Sequence, residues 1–288
     1  MATVPLYNRV WCSALRPSVP RYLLTRYACT PMAWDPGQYL KFADHRLRPA
    51  IDLLNRIDAA EPVEVVDLGA GAGNVTRLLK LRWPGARITG VDASKEMLEK
   101  AAAAAPEIAW QLADLGTWRA ERPVDIIYSN AALHWLEGHD KLFPALFSSL
   151  APGGVLAVQM PRNFSAPSHT SMAEAARGGP WRAKLDPLLR PSPTGDPAIY
   201  YDLLASRAAA LDIWETEYLQ VLEGENPVKE WTKGTWLKPL LDALAEPERS
   251  GFEAAYAALV ARAYPRRADG RTLFPFRRLF IIATAPKG

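Results

Sequence analysis

The stretch Val65–Leu79, VVDLGAGAGNVTRLL, decides the fold. A β-branched apolar run ends in Asp67, glycines follow at 69, 71 and 73, and a helical pattern opens at Asn74. Strand, glycine turn and helix in that order make a ligand-binding unit of α/β proteins. The spacing narrows the ligand. A nicotinamide fingerprint needs glycine at 74, where Asn74 stands, and a phosphate loop needs a following Gly-Lys-Ser/Thr that is absent. Two further acids stand at the ends of later apolar runs. Asp92 is placed to accept hydrogen bonds from the hydroxyl pair of a ribose, and Asp114 to meet an adenine edge. Asp67 either orients the turn or engages a ligand ammonium. Three acids at successive strand ends gather at one edge of a parallel sheet. That much negative charge repels a pyrophosphate but accepts a cationic sulfonium carrying an amino group.

The rest of the chain repeats the alternation. Strands are expected at residues 63–68, 87–91, 108–112, 124–129 and 155–160, with helices at 74–82, 94–105 and 141–150 and a turn at 151–154. This spacing predicts a parallel sheet covered on both faces. Residues 38–57 have helical spacing, with Tyr39, Phe42 and Arg46 on one face and Pro49 either kinking the stretch or starting a second helix. Beyond Met160 the pattern loosens through residues 162–197, which are rich in Pro, Ser and Gly. It resumes as a strand at 213–222, a helical block at 230–264 and a terminal strand at 279–285.

Bulk properties exclude several classes. The chain has 288 residues, 49% of them hydrophobic, enough for a full core. No apolar run approaches the ~20 residues of a membrane-spanning helix. With 34 basic and 31 acidic residues the charge is +3, which supports neither a nucleic-acid nor a membrane partner. The first 34 residues contain four arginines, no acid and both cysteines, Cys12 and Cys29. The remaining chain therefore has no thiol for a disulfide or a thiolate metal site. Residues 1–33 are expected to be a disordered extension, resembling a transit peptide or an upstream lead before Met32, with the domain spanning 34–288. The expected compartment is the cytoplasm, and the expected state is a monomer.

VVDLGAGAGN, VDASKEML, LADL and APGGVL together resemble the cofactor-binding set of class I S-adenosylmethionine-dependent methyltransferases, over residues 63–160. The alternative is an α/β sheet that uses glycine turns and terminal acids as caps. The resemblance implies a Rossmann-like seven-stranded mixed sheet with an antiparallel last strand. It implies S-adenosyl-L-methionine as cofactor. Gly69, Gly71 and Gly73 would line the methionine portion, Asp92 and Met97 the ribose and adenine, and Asp114 and Leu115 the base, with Asn130 following strand four. Adenine N-methyltransferases carry Asn/Asp-Pro-Pro-aromatic after that strand, whereas here the place reads SNAALHW.

WDPGQYLKFADHRLRPAIDLLNRI, NAALHWLEGHDKLFPALFSSLAPGGVLAVQMPRNFSAPSH, YYDLLA, DIWETEY, GTWLKPLLDAL and FPFRRLFIIATA resemble one branch, the trans-aconitate 2-methyltransferases, from about Trp34 to the C-terminus. Two residues depart from that family, which usually has cysteine in place of Ala70 and glutamine in place of His134. The family also lacks the 31-residue lead. The resemblance implies methyl transfer to one carboxylate of a small polycarboxylic acid. That acid is ionised at neutral pH, so alignment and desolvation suffice and no catalytic base is expected. Another small acid, or a nucleoside-binding module without turnover, are the alternatives.

Arginine suits a carboxylate because its fork is bidentate. Candidates are Arg46, Arg162, and Arg277 or Arg278. His134 is a candidate donor to the same acid, and Tyr39, Trp135, Trp181, Tyr200 and Trp214 are candidates for a lid that excludes water. Lid segments are expected at 38–57, 162–210 and 226–275, around a cofactor core at 60–160. His45, His139 and His169 lack ligand spacing, so no metal site is expected.

Overall fold

The structure, a computed structural model, describes residues 47–288. It opens with helix α1 (Arg48–Asn55), whose first turn holds Pro49 where a missing N–H costs nothing. Strand β1 (Glu64–Leu68) leads through the glycine turn into α2 (Asn74–Arg82). Then come β2 (Arg87–Asp92), α3 (Lys95–Ala104), β3 (Ala109–Leu112) and β4 (Val124–Asn130). Ser94 caps α3, its hydroxyl accepting from the Met97 N–H. A short turn of helix at Leu133–Trp135 precedes α4 (His139–Phe147) and the long β5 (Leu150–Pro161). Next are α5 (Pro167–Gly178), α6 (Arg182–Leu185), α7 (Pro197–Leu204) and β6 (Ala210–Leu222). Helices α8 (Pro227–Lys233), α9 (Lys238–Asp242) and α10 (Glu248–Ala263) then lead to β7 (Thr272–Thr284).

The seven strands form one mixed sheet in the order β3-β2-β1-β4-β5-β7-β6. Strands β1 to β5 are parallel, and β7 runs antiparallel to β5 and β6. Register assigns residues to faces, because opposed residues share a face. One face carries Val66, Leu68, Ile127, Leu156, Val158 and Ile281, packed with Phe143 and Leu146 of α4 and Tyr200 and Leu204 of α7. The other carries Asp67, Tyr128, Asn130, Gln159, Arg278 and Tyr218. Helix α1 lies on this second face, where Tyr128 donates to the Ala50 carbonyl and Tyr218 to Asp52.

The strands differ from the sequence expectation chiefly in length. The turn expected at 151–154 lies inside β5, and pairing with β4 shifts register between Val124 and Ile126. The last two strands pair from Ala210–Thr284 to Leu222–Thr272. The reason is tertiary. Leu222, Phe274 and Phe276 at the end of this ribbon pack against Met172, Phe252, Tyr256 and Leu240 of the neighbouring helices. Burial extends the strands beyond the stretch where alternation alone is clear. Among the described residues no helix is long and apolar enough to cross a membrane. Tyr39, Arg46 and the 1–33 extension lie outside the described residues.

Candidate functional site

The glycine turn sits at the carboxyl end of β1. Gly69 and Ala70 both donate to the Val91 carbonyl of β2, which folds the turn back over the sheet edge. Gly69 has φ +83°, and a side chain there would overlap Ala132, so the turn packs directly on the loop after β4. Gly71 has φ +55°, and a side chain there would project into open space. A small side-chain-free cradle therefore lies open at this edge.

Asp92 faces the cradle from β2. Its two oxygens accept from the N–H groups of Gly71 and Ser94, each at 2.8 Å, so the carboxylate is fixed and still has acceptor capacity. Asp114 is exposed beyond β3 and accepts from the Thr117 N–H at 3.0 Å. Met97 leaves much of its side chain exposed at the start of α3, and Leu115 is buried beside Asp114. Acids for hydroxyl and amino donors, an open backbone cradle and apolar side chains for a base fit a nucleoside sulfonium. Asp67 lies under the turn, 2% exposed, and accepts from the Thr76 hydroxyl at 2.7 Å. Burial pushes its carboxyl up to about 7, opposed by that hydrogen bond. These contacts fit the orienting role.

A second group of polar side chains continues from the cradle across the same face. Asn130 ends β4, and its Oδ1 is buried with no hydrogen-bond partner among the described residues. Ala131 follows in the left-handed region at φ +53°, a strained backbone for alanine, with its N–H on the Gln159 carbonyl. Gln159 on β5 is fully buried; its Oε1 accepts from Arg278 Nη1 at 3.3 Å, and its Nε2 has no partner among the described residues. Arg278 is itself buried, with its guanidinium 4.7 Å over the Phe276 ring. His134 is buried too, its Nδ1 lacking a partner. Burial, then the positive charge of Arg278, pushes its imidazole down to about 3, so it is neutral at physiological pH.

An aromatic group stands beside them. Trp135, 52% exposed, stacks on Trp236 at 5.0 Å between ring centres. Trp236 also meets the edges of Phe164 and His169. Burial holds the His169 imidazole down at about 4.

A family model described as methyltransferase domain matches residues 65–154. The YcgJ protein of Bacillus subtilis superposes with a TM-score of 0.52 at 17% identity, covering 83% of this chain and 97% of that one, which shows a shared fold. Proteins of Azoarcus sp. strain BH72 and Streptomyces avermitilis, both named trans-aconitate 2-methyltransferase, are 51% and 47% identical to this chain. Each match covers 87% of this chain, and 98% and 96% of the respective relatives. The chain belongs to the trans-aconitate 2-methyltransferase family. Its sheet is the Rossmann-like sheet of class I methyltransferases.

Within this family member, several residues expected at the substrate are engaged by other parts of the protein. Arg162 is engaged by Glu215 at 2.6 Å, Asp196 at 2.9 Å and the Gly195 carbonyl. Its fork is filled by the protein itself. Arg277 is exposed and pairs across the ribbon with Glu217 at 3.9 Å, on the face opposite Arg278. Trp181 is interior to the helical layer, donating to the Ala175 carbonyl and meeting the edge of Phe252. Tyr200 is fully buried on the α4 face, bonded to His139 and the Gly195 N–H. Trp214 is held at the far edge of the sheet between Phe280, stacked at 4.8 Å, and the Arg56 guanidinium. Of the described substrate candidates, His134 and Arg278 belong to the polar group beside the cradle, and Trp135 meets the His134 ring at 4.6 Å.

Sequence reasoning missed Gln159, Phe164 and Trp236 and set His169 aside. Gln159 had a usable signal, an amide inside the apolar run VLAVQM. The others had none, because loops distant in sequence bring them together.

Proposed function

We propose that the protein transfers the methyl group of S-adenosyl-L-methionine to a carboxylate of trans-aconitate, giving a monomethyl ester. The observation that carries this reading is the continuity of two sites on one sheet face. The cradle and Asp92 adjoin, through Asn130, the buried side chains of Gln159 and Arg278, with His134 near enough to feel the Arg278 charge. Identity near one half along the length of the curated relatives supports the choice of acid.

When bound, S-adenosyl-L-methionine supplies an activated methyl on a positively charged sulfur. The turn at Gly69–Gly73, Asp92, Met97, Asp114 and Leu115 would hold it. The residues of the second pocket have a modest task. A carboxylate with a pKa of about 4 is already ionised, so no side chain need remove a proton. Opposite charges disappear as the methyl moves, so a dry site favours the reaction. Arg278 can hold a carboxylate that does not react, while His134 stays neutral and leaves the reacting one unprotonated. The helices α5 and α8–α10, with Trp135 and Trp236, are read as the lid that excludes water. Alignment of the two reactants can supply ~7–11 kcal/mol.

A second reading, methylation of another small acid, draws on His134, which stands in the pocket where the family usually has glutamine. One assay separates the two. The protein is incubated with S-adenosyl-L-methionine and trans-aconitate or other di- and tricarboxylic acids, and products are read by mass spectrometry. An ester one methyl heavier than trans-aconitate is expected; esters of other acids alone would favour the second reading.

A further inference from the structure

We propose that Gln159 determines specificity by donating from its side-chain amide to a non-reacting carboxylate of the acid substrate, beside the Arg278 guanidinium. This rests on the reading above that the protein binds a polycarboxylate.

The argument starts from the orientation of the amide. An Arg278 N–H points at Gln159 Oε1 at 3.3 Å. Turning the amide over would set donor against donor, so the guanidinium fixes which end faces it. Nε2 is then the other end, buried with two N–H groups and no acceptor among the described residues. Leaving a donor in that state forfeits the hydration of the amide for no gain, which native interiors avoid. The Gln159 side chain is also fully buried on a central strand.

What the amide faces is set by register. Gln159 lies directly opposite Asn130 on one side and Phe280 on the other. Asn130 Oδ1 is unpartnered as well, yet the two amides do not bond each other. His134 adds a third unpartnered atom, and it feels the charge of Arg278. Three neutral side chains, each with a buried polar atom lacking a hydrogen bond among the described residues, therefore lie in one neighbourhood, with Gln159 bonded to the Arg278 guanidinium. Asn130 Oδ1 only accepts and His134 Nδ1 donates in one tautomer, so the carboxylate is met by the Gln159 amide, which donates without neutralising it, and by Arg278, which supplies the charge.

The cofactor also carries a carboxylate, so position must separate the two. The glycine turn follows β1, whereas Gln159 is on β5, two strands away at about 4.8 Å each. The amide is thus displaced toward the acid and away from the cradle.

The test measures binding, by calorimetry, of S-adenosylhomocysteine alone, and of trans-aconitate, trans-glutaconate and itaconate to the S-adenosylhomocysteine complex. The last two acids each have the same skeleton less one carboxylate. Gln159→Met removes the donor. Gln159→Glu keeps the oxygen that Arg278 uses and sets a negative charge against the acid, so it decides the matter should the first variant not fold. Both variants are expected to bind S-adenosylhomocysteine like the parent and to weaken trans-aconitate about tenfold to hundredfold. For Gln159→Met, the preference for trans-aconitate over at least one two-carboxylate acid should shrink by a similar factor. Unchanged trans-aconitate affinity in a variant that binds S-adenosylhomocysteine overturns the proposal. Equal weakening of all three acids overturns the assignment to a non-reacting carboxylate. Weakened S-adenosylhomocysteine moves the amide to the cofactor and overturns it too. Failure of the parent protein to bind any of the acids removes the functional reading itself, a result distinct from the others.

Discussion

Asp92 is held by two backbone N–H groups, so its carboxylate is in position before any ligand arrives. Such preorganisation lowers the cost of binding. Asp92→Ala should therefore remove both the ligand contact and the link that steadies Gly71. We expect S-adenosylhomocysteine affinity to fall at least tenfold, measured by calorimetry; unchanged affinity would show that Asp92 does not touch the nucleoside. Gly69 poses the opposite question, since it needs both its φ of +83° and its lack of a side chain. Gly69→Ala forces alanine into the left-handed region and into Ala132. A loss of about 2 kcal/mol or more in chemical denaturation is expected.

The β6–β7 ribbon shows what an element decides. Arg277 and Arg278 are neighbours in a strand, so they point to opposite faces. Alternation predicts that one faces in; only the packing of the sheet says it is Arg278. Arg162 is a parallel case at the end of β5. Its three contacts tie β5 to β6 and to the start of α7, which gives it a structural part. Arg162→Ala should reduce stability by about 1 kcal/mol, as for partly exposed ion pairs, and leave the KM for trans-aconitate within about twofold. A large rise in that KM without a change in stability would return Arg162 to the substrate.

Over the whole molecule, burial of ionisable groups links stability to pH. His134 and His169 are held down near 3 and 4 from the ordinary 6.5. Their contribution is complete above about pH 6.5 and is lost as pH falls toward the folded-state values. Asp67 runs the other way, raised from 3.8 to about 7. Its contribution is complete below pH 3.8 and is lost as pH rises to about 7. Between about pH 4 and 6.5 the unfolded chain carries two protons on the histidines, and the folded chain one on Asp67. These three groups make stability rise by about 1.4 kcal/mol per pH unit in that window. Asp67→Asn removes the opposing proton, so its stability should climb more steeply than the parent's by a further ~1.4 kcal/mol per unit. Urea unfolding at pH 4.5, 5.5 and 6.5 checks this. Parallel slopes would mean that Asp67 is ionised in the folded protein.

The sequence alone determined the strand order of chemistry along the chain. The glycine spacing, the acids at 67, 92 and 114, and the alternation of strand and helix are local patterns, and local sterics and hydrogen bonding make them legible. The methyltransferase fold and its family could be read from them, as could His134 and Trp135 beside strand four. The tertiary structure alone decided that Arg278 faces inward and Arg277 outward, that Arg162 is satisfied within the protein, and that Trp181 and Tyr200 are core. It also brought Gln159 to Arg278, and Phe164 and His169 to Trp236. The physical reason is that a side chain's role depends on what buries it and what already bonds it. Those partners can lie far away in sequence, 119 residues in the case of Gln159 and Arg278.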